Sequence, residues 1–145
     1  MVFAHKGEKH SEGEFKFEEA KEEKIIRINK EYESNIKAIF QNKCFDCHGQ
    51  LQSKPFYYDW PIAKKIIRDD IKKSKEHLDM SNGIPFGGHG TFEEDLNAIE
   101  ESVISNSMPP FRYKVMNWGS GLKDEEEKKI IEWVKFSRNV LNGED

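Results

Sequence analysis

No stretch of this 145-residue chain approaches the roughly 18 consecutive apolar residues of a membrane-crossing helix. Positive charge is not in excess either: 23 Lys and Arg face 27 Asp and Glu, for a formal net charge of −4. A nucleic-acid-binding domain would call for a clearly basic balance, so that class is set aside. Apolar and polar residues nowhere alternate with period two, which leaves no strand and argues for an all-α chain. Cysteine is scarce, with two in the whole sequence. The first residues, "MVFAHKGEKHSEGEFKFEEAKEEK", also lack the apolar core of about 7 to 15 residues that marks a secretory signal. Read alone, that start suits a cytoplasmic protein.

What is present is a series of helical stripes. Residues 1–24 form a charged leader, expected to be flexible or loosely helical, and residues 25–142 carry the domain. Ile25, Ile28, Tyr32, Ile36, Ile39 and Phe40 recur three and four apart, on a helix running into Cys44. After an aromatic loop, a second helix is expected to start at Asp59 as cap, with Pro61 in its first turn. Its buried side would be Ile62, Ile66, Ile67, Ile71 and Leu78. Lysines and an arginine between Lys64 and Lys75 lie around the rest. "SNGIPFGGHG" is a loop. Thr91, with Glu94 three residues on, caps a third helix that stops near Asn106, before "SMPPF". Asp124 is the expected cap of a last helix carrying Ile130, Ile131, Trp133, Val134, Val140 and Leu141. The long loops of a domain this small point to function or to a bound group.

Both cysteines fall in "KCFDCHGQ", three residues apart, with a histidine directly after the second. Two thiols at that spacing on a helical turn can add across the two vinyl groups along one haem edge. The next histidine then offers its imidazole to the iron. Cys44, Cys47 and His48 therefore read as the attachment motif of one covalent haem c. A zinc site would need a second pair of ligands at suitable spacing, which is missing. A thioredoxin-like dithiol would follow a strand, and there is none. Covalent haem is normally attached outside the cytoplasm. The motif thus favours an exported, periplasmic protein whose signal has been removed, and reverses the reading of the leader.

The sixth position on the iron has several candidates. Met108 stands first, because Pro109 and Pro110 stiffen its loop and a thioether suits haem iron. His89, between glycines, is the second choice. Met80 and Met116 read as packing residues, and His77 as a partner of its helix's C-terminal dipole. His5 and His10 belong to the leader. Trp60, Tyr57, Phe111 and Tyr113 are candidate walls of the haem pocket, alongside Phe56 and Tyr58.

The order of the cysteine motif, the aromatic loop, "PIAKKI", "KEHLDMS", "SMPPFRY" and the final amphipathic helix resembles the haem-binding domain family of small bacterial monohaem c-type cytochromes. "KEHLDMS" is similar to that family's His-Leu-Asn-Phe-Ser-like stretch at His77, Leu78 and Ser81, and Met108 with Pro109 matches its methionine segment. The chain departs from it at Asn117-Trp118, where the family often has a histidine, and in its glycine-rich "NGIPFGGHG". The resemblance spans about residues 33–137. It implies a cytochrome-c-like fold, about four helices around one haem.

Motif and resemblance together lead to an expected function: transfer of single electrons between redox protein partners, with the basic helix Lys64–Lys75 as a docking face. The alternative is a gas-binding or sensor module with an open or weakly held distal site. An enzyme of the peroxidase type would want acid and base groups beside the iron, and only His89 offers itself. A peroxidase is instead a candidate partner, because related domains occur alongside such enzymes.

Overall fold

A computed structural model describes residues 12–51 and 54–144. The cysteine motif stands at the end of a long rod. Helix α1, Glu12–Glu31, passes through a π-helical turn at Tyr32–Ile36 into α2, Lys37–Lys43. The helix thus reaches back through the second half of the charged leader as far as Glu12, while His5 and His10 lie outside the described residues. Ile28, Tyr32, Ile36, Ile39 and Phe40 are buried along the rod, as the spacing predicts, with Ile25 half-buried. Residues four apart drift around an α-helix. The wider π turn slows that drift and keeps Tyr32 and Ile36 on the same side.

One further turn, α3 (Phe45–His48), holds the second cysteine and the histidine. Helix α4 follows at Pro61–His77 and α5 at Phe92–Ile104. A short α6 spans Phe111–Met116, and α7 spans Asp124–Asn142. Helices α1 and α5 both pack on α7, and α4 packs on α3. The described residues contain no strand, only a single antiparallel bridge between Asp79 and Gly87. The architecture is all-α, as expected of a cytochrome-like domain.

The caps follow local chemistry. Thr91 and Glu94 close a reciprocal box at the start of α5: Thr91 N–H donates to Glu94 Oε2 (2.7 Å), and Glu94 N–H to Thr91 Oγ1 (3.3 Å). Two expected caps are displaced. Helix α4 begins at Pro61 after an extended Trp60, so Asp59 lies outside it, and proline's fixed φ suits that first position. Helix α7 begins at Asp124 itself, and Glu126 closes its start by accepting from Lys123 N–H (2.8 Å).

Tyr32, Phe40, Phe86 and Trp133 form an aromatic cluster at the centre, with ring centroids 5.7–6.3 Å apart in edge-on or tilted pairs. Phe86 comes from the glycine-rich loop, so that loop is anchored in the core. Helix α4 behaves differently from its sequence pattern. None of its residues is buried, Ile62 is 78% exposed, and of the expected buried set only Leu78, just past its end, is enclosed. Ile66 and Ile67 of its apolar face line a cavity.

Candidate haem site

The rod delivers Cys44 to the head of this cavity. Cys44 N–H still bonds to Phe40 O (2.8 Å), and Cys44 O then accepts from both Cys47 N–H (3.2 Å) and His48 N–H (2.9 Å). One tight turn thus brings two thiols and an imidazole to the same wall. Both cysteines are free thiols. Burial, followed by the neighbouring Cys47, pushes Cys44 up to about 12, and burial with Asp46 beside it raises Cys47 as well. Neutral thiols are the opposite of an activated dithiol, whose thiolate is stabilised by its surroundings.

His48 is held from two sides. Its Nδ1 lies 2.8 Å from the Leu78 carbonyl oxygen. A carbonyl can only accept, so Nδ1 carries the proton and Nε2 carries the lone pair. Burial holds the ring below its ordinary pKa, outweighing the raising effect of that hydrogen bond, so it is a neutral ligand-type imidazole. Met80 N–H in turn donates to His48 O (2.6 Å). Residues 78–80 therefore clamp the histidine by ring and by backbone. Their own position is set by the Asp79–Gly87 bridge, two hydrogen bonds of 2.8 Å.

The cavity measures about 650 Å³, within the range of small-molecule and cofactor sites. Ala63, Ile66 and Ile67 line it from α4, and Ala98, Ile99 and Ser102 from α5. Each set follows helical spacing, so two amphipathic faces look into one space with no protein between them. Phe40, Leu122 and Ile130 form the back. Tyr57, Trp60, Met108, Pro109, Tyr113 and Met116 complete the wall. Hydrogen bonds pin this last group. Tyr113 Oη donates to Asp46 Oδ2 (2.8 Å), and Asn117 Nδ2 to Tyr57 Oη (2.8 Å). Arg112 pairs with Asp70 of α4 (2.6 Å), and Lys43 holds the carbonyls of Gly119 and Gly121 (2.8 and 3.0 Å).

Of the residues singled out in the sequence, Cys44, Cys47, His48, Met108, Trp60, Tyr57 and Tyr113 meet at this cavity. Met108 is 43% exposed at its edge. Phe111 does not reach it: it is 82% exposed, because α6 turns Arg112, Tyr113 and Met116 inward and Phe111 outward. His89 is exposed and outside the lining, with its N–H committed to Glu76 O (3.0 Å). His77, Met80 and Met116, read as peripheral or packing residues, all line the cavity. Asp95 was overlooked. It lies in phase with Ala98 and Ser102 on the inward face of α5, and that periodicity could have marked it. No cluster of three or more His, Cys, Asp or Glu suited to a further metal ion occurs among the described residues.

The donor set fits a covalently tethered, histidine-ligated haem, and the two uncovered helix faces fit a large flat apolar group between them. Comparison with known proteins decides the family. The sequence model of the haem-binding domain matches residues 9–136. The chain belongs to the haem-binding domain family. Residues of this haem-binding domain are also 31% identical, over 97 positions, to cytochrome c peroxidase Ccp of Escherichia coli (strain K12). That match takes in 66% of this chain and 21% of the relative, so the domain spans about a fifth of that protein's length. No solved structure matches. The haem-binding domain is thus a haem protein, and none of its described helices is long and apolar enough to cross a membrane.

Proposed function

We propose that this haem-binding domain is an exported, periplasmic monohaem c-type cytochrome that carries single electrons. Cys44 and Cys47 would hold one haem by thioethers, with His48 as proximal and Met108 as distal ligand. The observation that carries this reading is the 2.8 Å contact of His48 Nδ1 with Leu78 O, which leaves Nε2 unprotonated beside the two thiols. A second-shell carbonyl of this kind fixes tautomer and ring orientation in metal-binding histidines.

Haem, when bound, supplies an iron that gains and loses one electron. The chain's part is to hold and insulate it. Leu78 keeps the His48 ring from turning, and Met80 N–H keeps its backbone from sliding. Ile66, Ile67 and Ile99 exclude water from the faces of the site. Tyr113 ties the segment after Met108 to the cysteine motif, so both ligand-bearing segments move as one body. Such rigidity suits electron transfer, which proceeds best when ligation stays the same in both oxidation states.

The partner is a redox protein. Lys65, Arg68 and Lys72 project to solvent from α4, whose other face lines the cavity. An acidic partner steered there would approach the haem wall directly. The relative's name makes a peroxidase a reasonable recipient of the electrons. On this reading the chain carries electrons and leaves catalysis to its partner.

The test is an absorption spectrum of holoprotein matured with haem-attachment machinery, oxidised and reduced, beside Met108→Ala. A weak far-red band in the oxidised wild type, absent from the variant, supports the His48/Met108 carrier. No such band, with immediate carbon monoxide binding to the reduced wild type, would replace it by the open gas-binding site.

A further inference from the structure

Asp95 is 3% exposed, lines the haem cavity and has an Oδ2 atom without a hydrogen-bond partner among the described residues. Buried carboxylates are ordinarily paired or hydrogen-bonded, and one that is neither takes up a proton instead. The side chain is closed in by the glycine-rich loop: a Cβ at Gly90 would stand 2.9 Å from Asp95 Oδ1. The bare backbone of Gly90 lies against this carboxyl group.

No cation is committed to it. On its own helix the neighbour is Glu94, which adds negative charge. Around the same cavity stand Asp70, Lys73 and His77 on α4, Lys43, Asp46 and His48 near the motif, and Arg112 on α6. Arg112 is paired with Asp70, Lys43 holds Gly119 and Gly121 near Glu126, and His48 is bonded to Leu78. Burial, then Glu94, raises Asp95 from 3.8 to about 6.

We propose that Asp95 is a proton-binding site coupled to the haem, taking up a proton when the haem gains an electron. This rests on the haem reading above. Electron and proton balance: a donor redox protein gives one electron, solvent gives one proton, the iron is reduced, and the carboxylate becomes a carboxylic acid. The net charge of the buried site is unchanged. Reduction removes one positive charge, and an adjacent carboxylate then loses the attraction that kept it ionised. At an effective dielectric of about 20, unit charges about 10 Å apart change proton affinity more than tenfold. Each tenfold difference in proton affinity between the two oxidation states appears as about 59 mV in a one-electron potential.

The experiment is spectroelectrochemical titration of holoprotein from about pH 4.5 to about pH 8.5, for wild type, Asp95→Asn and Asp95→Glu. Covalent haem and axial ligation are established first from the spectra, so a failure of the haem reading shows before any potential is measured. The expected result is a wild-type potential that falls with rising pH around pH 6, a flat Asp95→Asn over the same span, and a slope retained in Asp95→Glu. A flat wild type, or an Asp95→Asn with the wild-type slope, overturns the proposal. If Asp95→Asn fails to fold, the reduced-minus-oxidised infrared spectrum of the wild type decides. A protonated carboxyl stretch gained on reduction supports the coupling, and its absence overturns it.

Discussion

Tyr113 Oη donates a 2.8 Å hydrogen bond to Asp46 Oδ2, joining the helix after Met108 to the turn between the two cysteines. Burial and this hydrogen bond to Asp46 raise the phenol well above its ordinary pKa, so it stays a donor throughout the useful pH range. Asn117–Tyr57 and Arg112–Asp70 add two more ties from the same segment, to the aromatic loop and to α4. The segment after Met108 is thereby linked directly to the cysteine motif, the aromatic loop and α4.

Replacing Tyr113 by Phe keeps the wall and removes the tie. The holoprotein is expected to lose about 1 kcal/mol in urea unfolding, the typical net worth of one hydrogen bond. Carbon monoxide should bind the reduced variant faster than the wild type, because the Met108 segment then has one anchor fewer. An unchanged binding rate would show that Tyr113 does not restrain that segment.

Gly88 bears on the segment that holds His48. Its φ is +108°, and a Cβ there would stand 2.7 Å from His77 O and 2.9 Å from His77 C, both backbone atoms next to Leu78. Gly88→Ala combines backbone strain with displacement of the segment 78–80 that holds His48, and is expected to cost at least about 2 kcal/mol. Gly83→Ala is the control. It also has positive φ (+78°) but open space around it, so about 1 kcal/mol of strain is expected. Urea unfolding of the two holoproteins measures the difference. Equal losses would mean that the contact at His77 is relieved at little cost.

The contrast between what the sequence discloses and what it hides has physical causes. The haem-binding character is legible because Cys44, Cys47 and His48 stand at a fixed, distinctive spacing. The rod, α5 and α7 are legible because a protein core imposes helical periodicity on the residues facing it. In α4 the same periodicity misleads: Ile66 and Ile67 form an apolar stripe, but a stripe does not say whether protein or a prosthetic group covers it. Phe111 and Tyr113 differ only in helical phase, and α6 is too short to announce its phase in advance. His89 stands between glycines as the second-choice ligand, yet the backbone bonds of Asp79 with Gly87 and of Glu76 with His89 fix it away from the cavity. Those pairings bridge residues 8 and 13 apart, and no local pattern marks them.

The uncovered stripe of α4 leads to a prediction for the haem-free chain. A Cys44→Ser, Cys47→Ser double variant cannot form thioethers. Amides of α4 are expected to exchange with solvent faster in it than in holoprotein, while buried stretches of α5 and α7 change less. Local opening tracks the lack of buried contacts, and no residue of α4 is buried against protein. Hydrogen exchange followed by mass spectrometry checks this. Uniform protection across α4 and α7 without haem would show that the helix needs no group in the cavity.

Asp95 gives the last prediction, in the pH dependence of stability. Its folded pKa of about 6 lies above the unfolded 3.8, so the folded state binds the proton more tightly. The stability from that proton is complete below the unfolded value and is lost as pH rises through about 6. Above that, wild type folds with a charged carboxylate in a buried place, and an asparagine carries no such charge. For holoprotein kept reduced, going from about pH 4 to about pH 8 should move the stability difference by about 2 to 3 kcal/mol in favour of Asp95→Asn. The change with pH is the quantity to read, since the amide's own fit adds a constant offset. Urea unfolding at both pH values measures it. A difference independent of pH would mean that Asp95 is ionised in the fold as readily as in the unfolded chain, and a proton site at that position would fall with it.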